Sequence, residues 1–190
     1  MKNLKTCLFG ILLLTVQFAQ AQSSENGIKR WDLAIPLQWT DFSGKPDTPD
    51  TEFAAATYAG LELDVVEVSF SGLVTFKVRA VFDSHRSWAH PDRKDDYVLA
   101  HEQLHFDIAE VYARRLERKL NSMQIKVKDK EVAKRLALQY NEAQMKEQGR
   151  FDKDCVHGLD RKSQEGWRNK VDRELKIKRA PRGLVAKEQK

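Results

Sequence analysis

Residues 95–120 read DDYVLAHEQLHFDIAEVYARRLERKL. No Pro or Gly interrupts this run. Asp95 or Asp96 stands where an N-cap belongs, with a carboxylate to accept from the unpaired N–H groups of a first turn. Taking His101 as 0° on a wheel of 3.6 residues per turn, Ile108 falls at about −20°, Tyr112 at about 20°, His105 at about 40°, and Val98 and Leu116 at about 60°. The reading is a helix from about Asp95 to Leu120 whose buried stripe carries both histidines. Glu110 falls at about 180° on the same wheel and reads as a solvated charge. Asp107 also lies off the histidine side.

The flanking text fixes the fold class. Upstream, Val74, Phe76, Val78, Ala80 and Phe82 alternate with Thr75, Lys77, Arg79 and Val81, a strand with one wetter face. Leu61, Leu63 and Val65 alternate before it, then Val66, Val68 and Phe70 on the other parity, so a bulge is expected near Val65–Val66. Ser71-Gly72 makes these strands a hairpin. Ser84–Arg93 reads as a loop. Between Trp31 and Asp50, Pro36, Gly44, Pro46 and Pro49 forbid a long helix, and a short strand is expected over Leu37–Phe42. Residues 22–30 read as a loose lead-in. Downstream, a second helix is expected from about Lys130 to Gln148, stopping at Gly149, and a third from about Asp160 to Leu175 with Trp167, Val171 and Leu175 on one stripe. Strands first and helices after predict an α+β fold, three helices on a small antiparallel sheet.

The start of the chain reads as an export signal over residues 1–21. Lys2 and Lys5 precede the apolar run Cys7–Phe18, and Ala19-Gln20-Ala21 gives a small-x-small cleavage pattern. The apolar run is too short to span a bilayer, and no second one follows, so no integral membrane segment is expected. Loss of Lys2 and Lys5 with the signal takes the formal charge from +5 to +3. Much of that excess sits in a basic tail over 177–190, leaving residues 22–176 as one near-neutral domain with no nucleic-acid face. Cys155 then stands alone, and no intrachain disulfide is expected.

Residues 101–105, His-Glu-Gln-Leu-His, match H-E-x-x-H. With five His in 190 residues, chance yields this pattern in roughly one such chain in a hundred. Residues four apart share a helix face with Cβ atoms about 5–6 Å apart, so His101 and His105 can converge on one Zn2+. Glu102, about 100° around the helix, sits beside the metal as a general base for a bound water. Two imidazoles and a carboxylate on an apolar face need a shared partner, and a metal supplies one. A third ligand is required. Val111 stands where the metzincin pattern has His. Glu142, in the second helix but off its apolar stripe, and His157, in a loop before Gly158, both remain open on spacing.

His101-Glu102-Gln103-Leu104-His105-Phe106-Asp107-Ile108 resembles the H-E-Q-x-H-F-D-I signature of a bacterial family known as domain of unknown function nine-two-two, described as predicted secreted zinc-dependent proteases. Phe151, Asp152, Cys155, His157, Gly158, Gln164 and Trp167 resemble its downstream block Y-D-x-x-T-x-H-G followed by Gln and Trp. Trp39-Thr40-Asp41-Phe42, Ala54–Thr57 and Ser87-Trp88 stand at its upstream landmarks. The resemblance spans about residues 30–176. It implies a zinc site of His101, His105 and His157 with Glu102 as general base, acting on a peptide or protein substrate. Two departures matter. Phe151 replaces Tyr and cannot donate a hydroxyl to an oxyanion; Tyr97, Tyr112, Tyr140, His85 or His90 would have to substitute. Cys155 replaces Thr, and is either a small core residue or a thiolate near the metal.

Trp31, Trp39 and Trp88 read as core before groove. Asp152 reads as a partner to a ligand imidazole or as a loop cap, and Gln164 and Trp167 as packing. The alternatives to an exported peptidase are a non-catalytic metal-binding envelope protein, a metal-free structural domain, and an amidase acting on cell-wall peptide.

Overall fold

The alternation over Val74–Asp83 decides which way the sheet faces. In a computed structural model, which describes residues 25–46 and 52–177, Phe76, Val78, Ala80 and Phe82 are all buried on one side of that strand. The expected signal over 1–21 lies outside the described residues, as does the basic tail beyond Ile177.

Five strands and three helices follow in order. They are β1 (Ile28–Arg30), β2 (Ala55–Ala56), β3 (Ala59–Val68), β4 (Val74–Asp83), β5 (Trp88–Ala89), α1 (Asp96–Ser122), α2 (Lys130–Asp154) and α3 (Arg161–Leu175). The main sheet has the order β1-β4-β3 and is antiparallel; β2 and β5 form a separate two-stranded ribbon. The fold is α+β. The register slips between Val65 and Glu67, the bulge that the change of parity requires.

Two upstream expectations are corrected. The stretch read as a loose lead-in contains β1, which pairs Ile28 with Asp83. The strand expected over Leu37–Phe42 is instead a tight turn, Trp39–Asp41. Leu37 and Phe42 are both buried, and the turn lets both reach one core. Asp41 holds it by accepting from the Gln38 N–H at 2.8 Å and pairing with Lys29 at 2.6 Å.

α1 is the spine of the molecule. Asp95 caps it, accepting from the Val98 N–H at 2.7 Å. One side packs Phe106, Ala109, Ala113, Leu116 and Leu120 against the sheet core. The other packs Leu104, Ile108 and Val111 against Phe151, Trp167, Val171 and Leu175 of α2 and α3. Each fully buried side chain of this size contributes about 1.5–3 kcal/mol. Burial on both sides overturns the reading of Glu110 as a solvated charge: it is 8 % exposed. Its Oε2 accepts from the Ala80 N–H at 3.2 Å and its Oε1 from Arg114 at 2.8 Å.

Glu110 belongs to a series. β1 covers only residues 81–83 of β4, which leaves the same edge of β4 open at Phe76, Val78 and Ala80. Asn121, Glu117 and Glu110 of α1 accept from those three N–H groups at 2.8, 2.8 and 3.2 Å. Helix side chains thus satisfy a strand edge that would otherwise be buried unpaired. Asp107, fully buried, accepts from Trp31 Nε1 at 2.8 Å and Gln103 Nε2 at 2.9 Å.

Candidate metal centre

The sequence predicts that α2 stops at Gly149; it runs on to Asp154. An interior Gly costs a helix about 1 kcal/mol. Burial of Phe151, which is 0 % exposed, offsets that cost. The consequence is chemical, because the last turn of α2 delivers Asp152 to α1.

Three side chains meet there. His101 Nε2 lies 3.1 Å from Asp152 Oδ1 and His105 Nε2 lies 3.0 Å from the same oxygen. The ligand atoms of His101, His105 and Asp152 all lie within 4.8 Å of one another and could hold a metal ion. Both histidines are buried. Phe151 forms the wall behind them, stacked on His101 at 4.5 Å and edge-on to His105 at 5.0 Å, with Trp167 behind it at 5.6 Å.

The tautomer of His101 follows from its other nitrogen. Gln164 Oε1 sits 3.0 Å from His101 Nδ1. The Gln164 amide is oriented by its Nε2, which donates to the Tyr97 carbonyl at 3.4 Å. The carbonyl oxygen of Gln164 therefore faces the ring, and Nδ1 carries the proton. Nε2 of the neutral ring then presents a lone pair to a carboxylate oxygen. Two acceptors facing each other need a cation between them or a proton on the ring.

The electrostatics agree. Burial pushes Asp152 toward its neutral form, but hydrogen bonds from His101 and His105 outweigh it and hold the carboxyl below its ordinary range. Burial disfavours the charged form of His105, yet its hydrogen bond to Asp152 and the charges of Glu102 and Asp152 raise its pKa. Glu102 is 4 % exposed, and its Oε2 is buried with no hydrogen-bond partner; His105 Nδ1 is likewise unpartnered.

His101, Glu102 and His105 thus lie at one place on α1, as H-E-x-x-H spacing requires. His157 is not brought into the group of three. It is exposed, and its ring packs on Phe53 at 4.9 Å. Its backbone explains this: Val156, His157 and Gly158 have φ of 49°, 51° and 88°, a left-handed turn that swings the imidazole out. That turn carries Gly158 against His101, where an added Cβ would lie 3.5 Å from Nδ1. Glu142 is exposed on α2. Cys155 is a buried thiol. Burial first, then Asp154, Asp160 and Asp152, pushes its pKa up to about 12, and it is not one of the three side chains that meet.

Asp152 meets the imidazoles, as one of its two sequence readings has it; Gln164, read as packing, is the residue the sequence does not place in this group. A signal for Asp152 was there. Ala133, Ala137, Tyr140, Gln144, Phe151 and Cys155 keep helical spacing straight through Gly149, and that stripe puts residue 152 on a helix. No comparable signal marks Gln164.

A family model described as bacterial protein of unknown function (DUF922) matches residues 55–158, more than half of the chain. The match runs from β2 to the turn at Gly158 and contains His101, Glu102, His105 and Asp152. No curated protein and no solved structure matches the chain.

Proposed function

The chain belongs to that bacterial family of unknown function, and from its site we propose that it is an exported zinc-dependent metallopeptidase. In this reading His101, His105 and Asp152 are the ligands and Glu102 the general base. The observation that carries it is the convergence of two imidazole Nε2 atoms on one carboxylate oxygen, 3.1 and 3.0 Å away, beside a buried carboxylate with an unpartnered oxygen.

The donor set fits the ion. Ligand atoms of a tetrahedral zinc site with two His and one carboxylate stand about 3.3 Å apart. The two His–Asp separations agree to within a few tenths of an ångström, and all three ligand atoms lie within 4.8 Å of one another. Bound zinc would acidify a coordinated water and polarise a peptide carbonyl. The chain's own part is to hold and move protons. Gln164 keeps the His101 proton on Nδ1, so that Nε2 stays a ligand. Glu102 Oε2 takes a proton from the attacking water and returns it to the leaving amine. Export is supported by the n-region, apolar run and cleavage pattern of residues 1–21.

One observation favours a second reading, a non-catalytic metal-binding protein of the envelope. Phe151 is stacked on His101 where the related pattern has a Tyr, so this position has no hydroxyl for an oxyanion. Metal content and turnover of purified variants separate the readings. Asp152→Ala should lose most bound zinc, His157→Ala should keep it, and Glu102→Gln should keep it while hydrolysis of a peptide library falls about 10²–10⁴-fold. Zinc lost in His157→Ala and kept in Asp152→Ala would return the third ligand to His157. Zinc without turnover in the parent would leave the binding protein, and no zinc in the parent would remove both.

A further inference from the structure

We propose that the end of the molecule opposite the metal centre docks on an anionic lipid bilayer. This holds whether or not the metal centre is catalytic. At this end the β3–β4 turn and the α1–α2 connection are tied together. Val127 N–H donates to the Gly72 carbonyl at 3.1 Å and Val74 N–H to the Ile125 carbonyl at 2.9 Å, with Leu73 bridged to Lys126. From this joined surface Val66, Val68, Phe70, Met123 and Val127 project exposed, and Phe70 at the tip of the turn is fully so. These are five of the large apolar side chains that a single-domain protein normally buries or scatters.

Charge accompanies them. Lys126 and Lys128 lie on the same connection, with Lys119 in the last turn of α1 and Lys130 at the start of α2. Among the described residues none of Lys119, Lys126 and Lys128 is in an ion pair, whereas nearby Asp64 is held by Arg79 and Glu117 by Lys77. Glu67, Asp129 and Glu131 are the acidic side chains interspersed, the last paired with Lys134. Apolar wedges ringed by lysines suit the interface of an anionic bilayer, where the wedges enter the acyl boundary and the cations stay with the headgroups. The geometry disfavours a second copy. The apolar groups stand out singly from a turn and a loop, not as a flat face, and the bulge at Val65–Glu67 breaks the strand edge that another strand would need. His101 and the C-cap residue Met123 are 22 residues apart along α1, so docking here would hold the metal centre up to about 33 Å from the bilayer.

Vesicle sedimentation of the purified protein tests this. The protein should pellet with vesicles of phosphatidylcholine and phosphatidylglycerol, not with phosphatidylcholine alone, and less so as salt is raised. Phe70→Ser should weaken the association at least about tenfold, and Lys126→Glu with Lys128→Glu should abolish it. Thermal unfolding should stay unchanged, since neither change touches the core. Absence of sedimentation, or equal binding by Phe70→Ser, would overturn the proposal. So would a dimer in light scattering that Phe70→Ser dissociates, which would give the surface to a second copy.

Discussion

α1 carries two polar clusters, and the difference between them separates structure from chemistry. On the sheet side, Asp107, Glu110, Glu117 and Asn121 meet donors at ordinary distances: Trp31, Gln103, Arg114 and three strand N–H groups. On the side facing α2 and α3, an oxygen of Glu102 and a nitrogen of His105 are buried without partners, and lone pairs of His101, His105 and Asp152 converge. An unsatisfied buried polar group costs about 1–3 kcal/mol. The first cluster avoids that cost inside the fold. The second retains it, and a cation with its water would remove it.

The comparison breaks most visibly at Phe151, the wall behind both imidazoles. Phe151→Ala should lower stability by about 3–5 kcal/mol and also weaken metal binding, because both rings lose the surface that orients them. Denaturant unfolding and metal titration of the one variant would show both losses. Stability lost with metal affinity intact would mean that Asp152 and Gln164 alone fix the rings.

The two buried glutamates of α1 sharpen it. Glu110→Ala should cost about 1–3 kcal/mol by stranding the Ala80 N–H, with no effect on bound metal. Glu102→Gln should cost less in the metal-free protein, because it strands no backbone N–H and gives up only the attraction between Glu102 and His105. Equal losses in denaturant unfolding would show that Glu102 is a structural carboxylate like its neighbour.

Gln164 carries a smaller effect. It lies in α3, beyond the matched family segment, and acts on the metal through the His101 ring. Gln164→Ala should reduce zinc affinity about 10–100-fold and broaden the visible spectrum of a cobalt-substituted protein, as the His101 tautomer is released. Gln164→Glu, which also accepts from Nδ1, should restore both. Full affinity in Gln164→Ala would reduce its role to packing.

How far these clusters could be read in the sequence follows from what each depends on. The hairpin, its bulge and the burial of the two histidines on one helix are local patterns of period two or four, and the structure has them as read. Glu110 defeated the wheel because a wheel assumes one wet face, and α1 has none. Asp152 stays undecided between imidazole partner and loop cap while Gly149 is taken as a stop, although a single Gly yields to the burial of Phe151 two residues later. His157 comes from the family resemblance, since spacing leaves it level with Glu142. Spacing does not reveal that residues 156–158 turn left-handed, and that turn sends the ring to Phe53. Pairings that span 51 or 63 residues, His101 with Asp152 and with Gln164, exist only once helices pack.

The finest test of the comparison is pH. In the metal-free protein, Asp152 titrates below its ordinary 3.8 and His105 above its ordinary 6.5. The lowered carboxylate contributes stability at pH above 3.8, which is lost as pH falls through its folded value. The raised imidazole contributes stability below pH 6.5, which is lost as pH rises through its folded value. The pair is therefore at full strength between those two values, and the melting temperature of the metal-free protein should decline as pH rises through neutrality. Metal binding has the opposite sign. Its ligands must be deprotonated, so zinc affinity, and with it the melting temperature of the zinc-loaded protein, should rise over the same range. The sheet-side cluster enters neither slope, so Glu110→Ala should shift both curves down without changing their shape. Asp152→Asn should flatten the metal-free curve. Two curves of parallel slope in the parent, with and without zinc, would mean that the proton and the metal do not compete for the same three side chains.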